Sequence, residues 1–168
     1  MNLLANATSA SYTPPSPTLA DHRAQFTCIV SNYGGTTTTS AATLSVFATG
    51  IEVWQFDFFG TNANAGSAAD DADPDSDGLK NIIEYALGSN PLLSNAAAAP
   101  VAAISGGSLS MNITQPADVG GVTYGAEWSA NFLDWYPISD AGSGAQHSFA
   151  APIAGNPQLF MRFKVTRP

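Results

Sequence analysis

Residues 73–84 read DPDSDGLKNIIE, and the expected organisation of the chain follows from this stretch. Carboxylate and carboxamide side chains occupy its positions 1, 3, 5, 9 and 12, and glycine occupies position 6. In order, these residues are Asp73, Asp75, Asp77, Gly78, Asn81 and Glu84. Calcium is a hard cation that takes about six to eight oxygen ligands, so alternating aspartates can surround one ion as the backbone turns. The spacing therefore predicts a calcium-binding loop.

This spacing resembles that of the EF-hand calcium loop, D-x-D-x-D-G-x5-E. The resemblance implies that Gly78 permits a sharp turn, that the carbonyl of Leu79 adds a backbone ligand and that Glu84 binds through both carboxylate oxygens. Asn81 stands where a ligand often acts through a water molecule. Position 8 is Lys80, where a paired EF-hand has an apolar residue, and the sequence contains no second loop of this kind.

Negative charge is concentrated around the predicted loop. Of the thirteen carboxylates in the chain, six lie within residues 70–84, where Lys80 is the only cation. Without a bound ion, carboxylates at this density would repel one another strongly. The alternative to a calcium site is a solvated acidic turn that caps the following helix, with Asp77 as its N-cap.

The charge of the whole chain limits the classes of function. The 168 residues carry a net charge of −8 and include only five Lys and Arg. No basic patch is available to displace counterions, so binding to nucleic acid or to anionic membranes is not expected. No apolar run approaches the ~18–20 residues that span a bilayer, so membrane insertion is not expected either.

Other features favour an extracellular or cell-surface location. The chain is poor in charge and rich in Ser, Thr and Gly, and free calcium outside cells, at about millimolar levels, would fill even a weak site. Residues 1–6 lack the basic and apolar regions of a signal peptide, so a secreted form would be a mature form or a fragment. A single cysteine, Cys28, excludes an internal disulfide.

Residues 9–46 alternate in a β pattern. Strands are predicted at residues 9–13, 24–30 and 36–46, with a turn signal at residues 32–35. Prolines at positions 14, 15 and 17 keep the first strand from continuing. One face of the second strand would carry Ala24, Phe26, Cys28 and Val30.

The run from residue 7 to residue 46 resembles the C-terminal half of an immunoglobulin-like domain of the intermediate type, common in repetitive secreted bacterial proteins. The resemblance implies that the three strands are E, F and G, and that Cys28 is the second cysteine of the inter-sheet pair. Phe26 would occupy the tyrosine-corner position, without the hydroxyl. Strands A to D have no counterpart in the sequence.

Three strands cannot cover both inner faces of an immunoglobulin-like sandwich, so edges and apolar side chains are left open. Three explanations remain. The domain is truncated, its strands pack on the rest of the chain, or an identical subunit completes its sheet.

Residues 49–95 predict two short helices around the calcium loop. The first covers residues 49–60 and is apolar on more than one side, and the second runs from about Leu79 to Leu87. Its apolar stripe consists of Leu79, Ile82, Ile83 and Leu87. Aromatic residues of the first helix are expected to pack on this stripe, and Gly88 is the expected C-terminal cap.

The segment ADDADPDSDGLKNIIEYALGSNP, residues 69–91, resembles the calcium-binding segments of thrombospondin type 3 and dockerin-like repeats. It is more similar to single copies that precede the C-terminal module of large secreted bacterial proteins. The resemblance implies calcium ligands at Asp73, Asp75, Asp77 and Glu84. Dockerins carry two copies and bind cohesin partners, whereas this chain has one copy.

An Ala-rich linker at residues 91–100 leads into a second β region. Six strands are predicted, at residues 101–104, 108–114, 122–129, 135–139, 146–150 and 159–166, and their spacing predicts a small antiparallel sandwich. VTYGAEWSANFLDWYPI (122–138) and QLFMRFKV (158–165) resemble the C-terminal β module of the same secreted proteins. The expected fold is therefore mainly β, with antiparallel sandwich-like units flanking a helix–calcium loop–helix insert. The expected domains are residues 1–48, 49–95 and 96–168.

No catalytic motif is present, so the protein is not expected to be an enzyme. His22 and His147 fall in predicted turns and are expected at the surface, and Cys28 is expected inside a strand as an inert apolar residue. Trp128, Phe132, Trp135 and Tyr136 cluster in sequence. They form either an aromatic platform for sugars or part of the β core.

The leading hypothesis is a non-catalytic, extracellular, calcium-binding structural or adhesive protein. Its sharper version is self-assembly of identical subunits into a filament through the incomplete immunoglobulin-like sheet. The alternative is a carbohydrate-binding or accessory module of a secreted polysaccharide-degrading enzyme. A third hypothesis is a C-terminal sorting or anchoring region.

Overall fold

The computed structural model of the protein describes residue 4 and residues 7–95, 99–156 and 158–168. The structure is mainly β, with two small α-helices and several antiparallel sheets, which confirms the predicted fold class at this level. The chain divides into two compact units, Met1–Ala48 and Thr49–Pro168. Residues 1–3, 5 and 6, which belong to the segment without a signal-peptide pattern, lie outside the described residues. So do residues 96–98 of the predicted linker.

The N-terminal unit contains a single interrupted hairpin. Strand β1 (Gln25–Phe26) pairs with β4 (Ala42–Thr43), and β2 (Ile29–Asn32) pairs with β3 (Gly35–Thr38), all antiparallel. Between the two ladders, the Cys28 N–H donates to the Thr39 hydroxyl at 3.0 Å and the Thr39 N–H donates to the Cys28 carbonyl at 2.9 Å. The predicted strands at 24–30 and 36–46 are each broken in two, and the strand predicted at 9–13 does not form.

No described residue of this unit is buried. Ile29 and Val30 on β2 are 47% and 54% exposed, and Tyr33 in the turn is fully exposed. The prediction that Cys28 lies inside a strand is wrong, because this residue is exposed and falls between β1 and β2. Among the described residues of this unit the hairpin is a single layer, and its Phe26 ring is only partly buried, with its centroid 6.1 Å from that of Tyr12.

Two helices begin the second unit. Helix α1 (Gly50–Phe59) starts at Thr49, whose hydroxyl accepts from the Glu52 N–H, and it ends at Gly60 in the left-handed region. Helix α2 (Asn81–Leu87) ends at Gly88, also left-handed. Neither helix is long and apolar enough to cross a membrane, and the same holds for every helix in the described part of the chain.

Two three-stranded antiparallel sheets follow. The first contains β5 (Ala103–Ser105), β6 (Ser108–Thr114) and β9 (Gln146–Pro152), in the order β5-β6-β9. The second contains β7 (Thr123–Ser129), β8 (Tyr136–Ile138) and β10 (Phe160–Thr166), in the order β10-β7-β8. All six strands predicted from alternation are present, with bounds shifted by at most two residues at either end.

One hydrophobic core joins the helices to both sheets. Its buried members include Ile51 of α1, Tyr85 and Ala86 of α2, Met111 and Ile113 of β6, Tyr124 and Ala126 of β7, Phe149 of β9 and Val165 of β10. Residues 49–95 and 96–168, which the sequence treats as a joint and a module, both contribute to this core. The helix that follows the acidic loop is therefore anchored on the β sheets.

The most buried face of α2 differs from the predicted apolar stripe. Ile82, Ile83 and Leu87 are only partly buried against the core. The buried residues are Asn81, Glu84, Tyr85 and Ala86. Trp54 of α1 packs edge-on against Tyr85 rather than on the stripe, with ring centroids 5.7 Å apart. Two polar residues thus occupy the inner face, and both belong to the predicted calcium loop.

Candidate metal site

The three aspartates of the loop converge. Asp73, Asp75 and Asp77 each offer a carboxylate oxygen, and these oxygens lie within 4.8 Å of one another. The turn is held by backbone donors, because the Asp77 N–H donates to Asp73 Oδ1 at 3.1 Å and to Asp75 Oδ1 at 3.2 Å. Gly78 donates to Asp73 Oδ2 at 2.9 Å and has φ 92°, which only glycine adopts readily. The spacing predicted this convergence.

Asp77 has both carboxylate oxygens engaged by backbone N–H groups. Its Oδ1 accepts from Leu79 at 2.8 Å, and its Oδ2 accepts from Asn95 at 2.7 Å. Each carboxylate oxygen has about two acceptor directions, so a cation can still bind beside these hydrogen bonds. Leu79 follows the glycine turn directly, at the position predicted for a backbone carbonyl ligand.

Glu84 is the buried member of the site. Its side chain has no solvent exposure, its Oε1 accepts from the Ser89 hydroxyl at 3.3 Å, and its Oε2 has no hydrogen-bond partner. Burial raises the pKa of Glu84 to about 7, and the negative charge of Asp75 adds to the rise, as do those of Asp77 and Asp73. Burial and neighbouring aspartates also raise the pKa of Asp75. The negative charge of Glu84 is therefore disfavoured here unless a proton or a nearby cation neutralises it.

Asn81 is held in a fixed orientation. Its Nδ2 donates to the carbonyls of Ser67 and Ala69 at 2.7 and 2.8 Å, so the amide nitrogen is turned toward the preceding loop. The oxygen of the same amide, Oδ1, is buried and has no donor. The Oδ1 atom of Asn81 therefore has free lone pairs that can accept a hydrogen bond or bind a cation.

Within the described ranges, four buried side-chain atoms lack a hydrogen-bond partner, and all four are oxygens. They are Asp75 Oδ2, Asn81 Oδ1, Glu84 Oε2 and Asn95 Oδ1. Three of them stand at loop positions 3, 9 and 12. Leaving such an atom without a donor costs about 1–3 kcal/mol, so a polar or cationic partner is favoured for each of the four. A hard cation that binds carboxylate and amide oxygens fits this donor set.

A second polar network supports the loop and has no counterpart in the sequence prediction. Gln55 of α1 is fully buried and donates to the Ala68 carbonyl at 2.7 Å. Arg167 contacts Asp70 at 3.2 Å and Gln55 at 3.4 Å. The Asp70 carbonyl in turn accepts from the Ile82 N–H. Asp70 is therefore paired with Arg167 and does not belong to the cluster of predicted ligands. In the sequence, only the local density of acidic residues pointed to Asp70.

The aromatic residues near β8 form a partly open cluster. Phe132 is 60% exposed and its ring centroid lies 3.6 Å from that of Phe160. The guanidinium of Arg162 covers Trp135 at 4.1 Å, and the Trp135 indole N–H donates to the Phe132 carbonyl. Trp128 and Trp135 are both half-buried. The cluster is thus neither fully core nor an uncovered platform.

The prediction that both histidines lie in turns is right for His22 and wrong for His147, and both side chains are partly buried. His147 lies in β9, stacks on Tyr124 with ring centroids 4.2 Å apart and contacts Asp140 at 2.6 Å. The Ser148 N–H, followed by His147, holds the pKa of Asp140 below its ordinary value. His22 accepts from the Val46 N–H at 3.1 Å and is half-buried. Both imidazoles have structural partners.

Comparison of the chain with protein-family models, with curated proteins and with solved structures finds no match. The immunoglobulin-like and EF-hand-like resemblances therefore stay predictions from sequence.

Proposed function

We propose that the protein binds one calcium ion at residues 73–84 and is a non-catalytic extracellular structural protein. The single observation that carries this proposal is Glu84, a fully buried carboxylate whose Oε2 has no donor and whose charge is opposed by three aspartates. The ligands would be side chains of Asp73, Asp75, Asp77 and Glu84, the carbonyl of Leu79, and Asn81 through water.

The geometry disfavours the alternative of a solvated acidic turn. In that alternative Asp77 caps the helix, but the N-cap position of α2 is Lys80 and has no side-chain capping bond. A solvated turn would also leave its carboxylates in water, whereas Glu84 is buried. A calcium ion would satisfy Glu84 and relieve the repulsion among the aspartates at once.

The expected affinity suits an extracellular site. With a Kd of about 0.1 mM and calcium at ~1–2 mM, binding stabilises the fold by roughly 1.5–2 kcal/mol. That gain would reach the β sheets, because Tyr85 and Ala86, next to Glu84, belong to the core that both sheets share. This shared core also supports the sandwich arrangement proposed for residues 96–168.

Isothermal titration calorimetry tests the proposal directly. We expect one calcium ion per chain, and we expect Glu84→Gln to weaken binding by about tenfold or more, because ligand charge sets calcium affinity. Asp57→Asn is the matched control, since it removes one negative charge from an exposed position of α1. No heat of binding in the wild-type protein, or equal losses in both variants, would contradict a specific site.

The structural role has a sharper form, in which identical subunits assemble. The N-terminal unit exposes Ile29 and Val30 on β2, and among the described residues β2 pairs only with β3. A strand of a second copy could add to this open edge, and a contact of this kind that does not close would build a filament.

Light scattering at several protein concentrations tests assembly. We expect mass to grow with concentration, and we expect Val30→Lys to prevent growth because a charge at the edge blocks strand addition. Tyr33→Lys places the same charge in the adjacent turn and should assemble normally. A wild-type monomer at high concentration, with calcium present, would remove the filament and leave the calcium-binding proposal standing.

Carbohydrate binding is a second candidate because the ring of Phe132 is 60% exposed beside Phe160 and Trp135. Sugars stack on such rings. Retention on insoluble polysaccharide that is lost in Trp135→Ala, but kept in Tyr33→Ala, would favour this candidate over a purely structural role.

A further inference from the structure

Asn95 lies outside the twelve-residue loop but is joined to it. Its backbone N–H donates to Asp77 Oδ2 at 2.7 Å. Its side-chain Oδ1 is buried and has no hydrogen-bond partner. A buried amide oxygen usually finds a donor, so this one calls for an explanation.

The chain returns to the loop by a compact turn after α2. Gly88 ends the helix, the Asn90 side chain accepts from the Leu92 N–H at 2.9 Å, and Pro91 is buried. These contacts bring residue 95 back to Asp77. The fold of this turn therefore places Asn95 beside Asp77, although the two residues are distant in sequence.

We infer that the side-chain oxygen of Asn95 is a further ligand of the metal ion, which rests on the calcium binding proposed above. The other three buried oxygens without a partner, on Asp75, Asn81 and Glu84, all stand at predicted ligand positions. Asn95 completes this set. A neutral amide oxygen is an ordinary calcium ligand, and it fills the shell without adding to the repulsion among the carboxylates.

A purely structural Asn95 would act through its backbone N–H alone. Asn95→Ala separates the two roles because it keeps the N–H that contacts Asp77 and removes only the side-chain oxygen. Asn95→Asp keeps an oxygen at the same place. Asn112→Ala is the control, since it makes the same chemical change at an exposed position of β6.

Terbium luminescence provides the test, because lifetimes in H2O and D2O count the water molecules bound to the ion. We expect Asn95→Ala to bind about one more water than the wild type. We also expect its calcium affinity to fall about tenfold, the scale on which groups around a metal act. Asn95→Asp and Asn112→Ala should keep the wild-type water count.

An unchanged water count and affinity in Asn95→Ala, with normal binding by the wild type, would overturn the role of Asn95 alone. A wild type that binds neither terbium nor calcium would overturn the site as a whole. Unfolding in chelator should be the same for wild type and Asn95→Ala, and a large loss of stability there would assign Asn95 to the fold instead of the ion.

Discussion

The hydroxyl of Tyr124 donates a hydrogen bond of 2.5 Å to the carbonyl of Ala86, and so ties strand β7 to the last turn of α2. Burial raises the pKa of Tyr124 to about 12, so the hydroxyl remains a donor at neutral pH. One residue earlier on α2, the Tyr85 hydroxyl donates to the Gly120 carbonyl at 2.8 Å. The Gly120 N–H also donates to the Tyr85 hydroxyl at 3.1 Å, so three hydrogen bonds join the helix that carries Glu84 to residues 120 and 124.

Tyr124→Phe should destabilise the protein by about 1–3 kcal/mol, because a buried helix carbonyl loses its donor while the ring stays in place. Urea unfolding measures the loss. Tyr12→Phe removes a hydroxyl from an exposed position of the N-terminal unit and should have little effect. Equal stability of the two variants would mean that the Ala86 carbonyl finds another donor.

Glu84→Gln should raise stability in chelator and remove most of the stabilisation that calcium gives. In chelator the variant should be more stable than the wild type at pH 8 by roughly 1–3 kcal/mol, since each pKa unit corresponds to about 1.4 kcal/mol. In millimolar calcium the wild type should gain about 1.5–2 kcal/mol and the variant almost nothing. Thermal unfolding in both buffers measures the four values. A variant less stable than the wild type in chelator would show that Glu84 stabilises the fold without an ion.

The calcium-free protein should lose stability as pH rises through neutrality. The pKa of Glu84 rises from about 4.5 to about 7 on folding, so the folded state binds the proton more tightly. The resulting stability is fully present below about pH 4.5 and is lost as pH rises through about 7. Unfolding in chelator from pH 4 to pH 8 should show this loss in the wild type and not in Glu84→Gln. Parallel curves for the two proteins would contradict it.

Gly50→Ala should be destabilising although alanine favours helices. A Cβ at this position would lie 2.6 Å from the Tyr85 hydroxyl, and relief of that clash would move the hydroxyl away from Gly120. We expect a loss of about 1–3 kcal/mol. In a Tyr85→Phe background the same substitution should cost less, because the hydroxyl that the Cβ would meet is absent. An undiminished cost in that background would locate the clash elsewhere.

Short-range sequence patterns predicted those strands, helix ends and loops that neighbouring residues determine. The alternation over 108–114 predicts a strand with the bounds that β6 has, because every second residue faces the core. Gly60 and Gly88 end the two helices, as left-handed glycines commonly do. The three aspartates converge, as their spacing predicts, around a turn held by Gly78 and by backbone hydrogen bonds.

Contacts between distant residues were not predictable in this way. Gln55 and Arg167 are in contact although most of the sequence of the second unit separates them. Asn95 contacts Asp77 only because the turn after α2 brings the chain back. The stripe predicted for α2 counted apolar residues and therefore missed Asn81 and Glu84, whose burial follows from the loop. The prediction for Cys28 failed because alternating apolar residues face an interior only where a second layer of structure covers them.

The pairing of Arg167 with Gln55 and Asp70 joins residues 112 and 97 positions apart. Strand β10 leads to Arg167 and pairs along its whole length with β7. It comes last in sequence among the described strands of its unit. Such distant contacts must close long loops before they yield any energy, and this slows folding. On the ribosome, the second unit should thus stay unfolded until β10 has emerged, and the loop with its acidic residues should reach its final geometry only then.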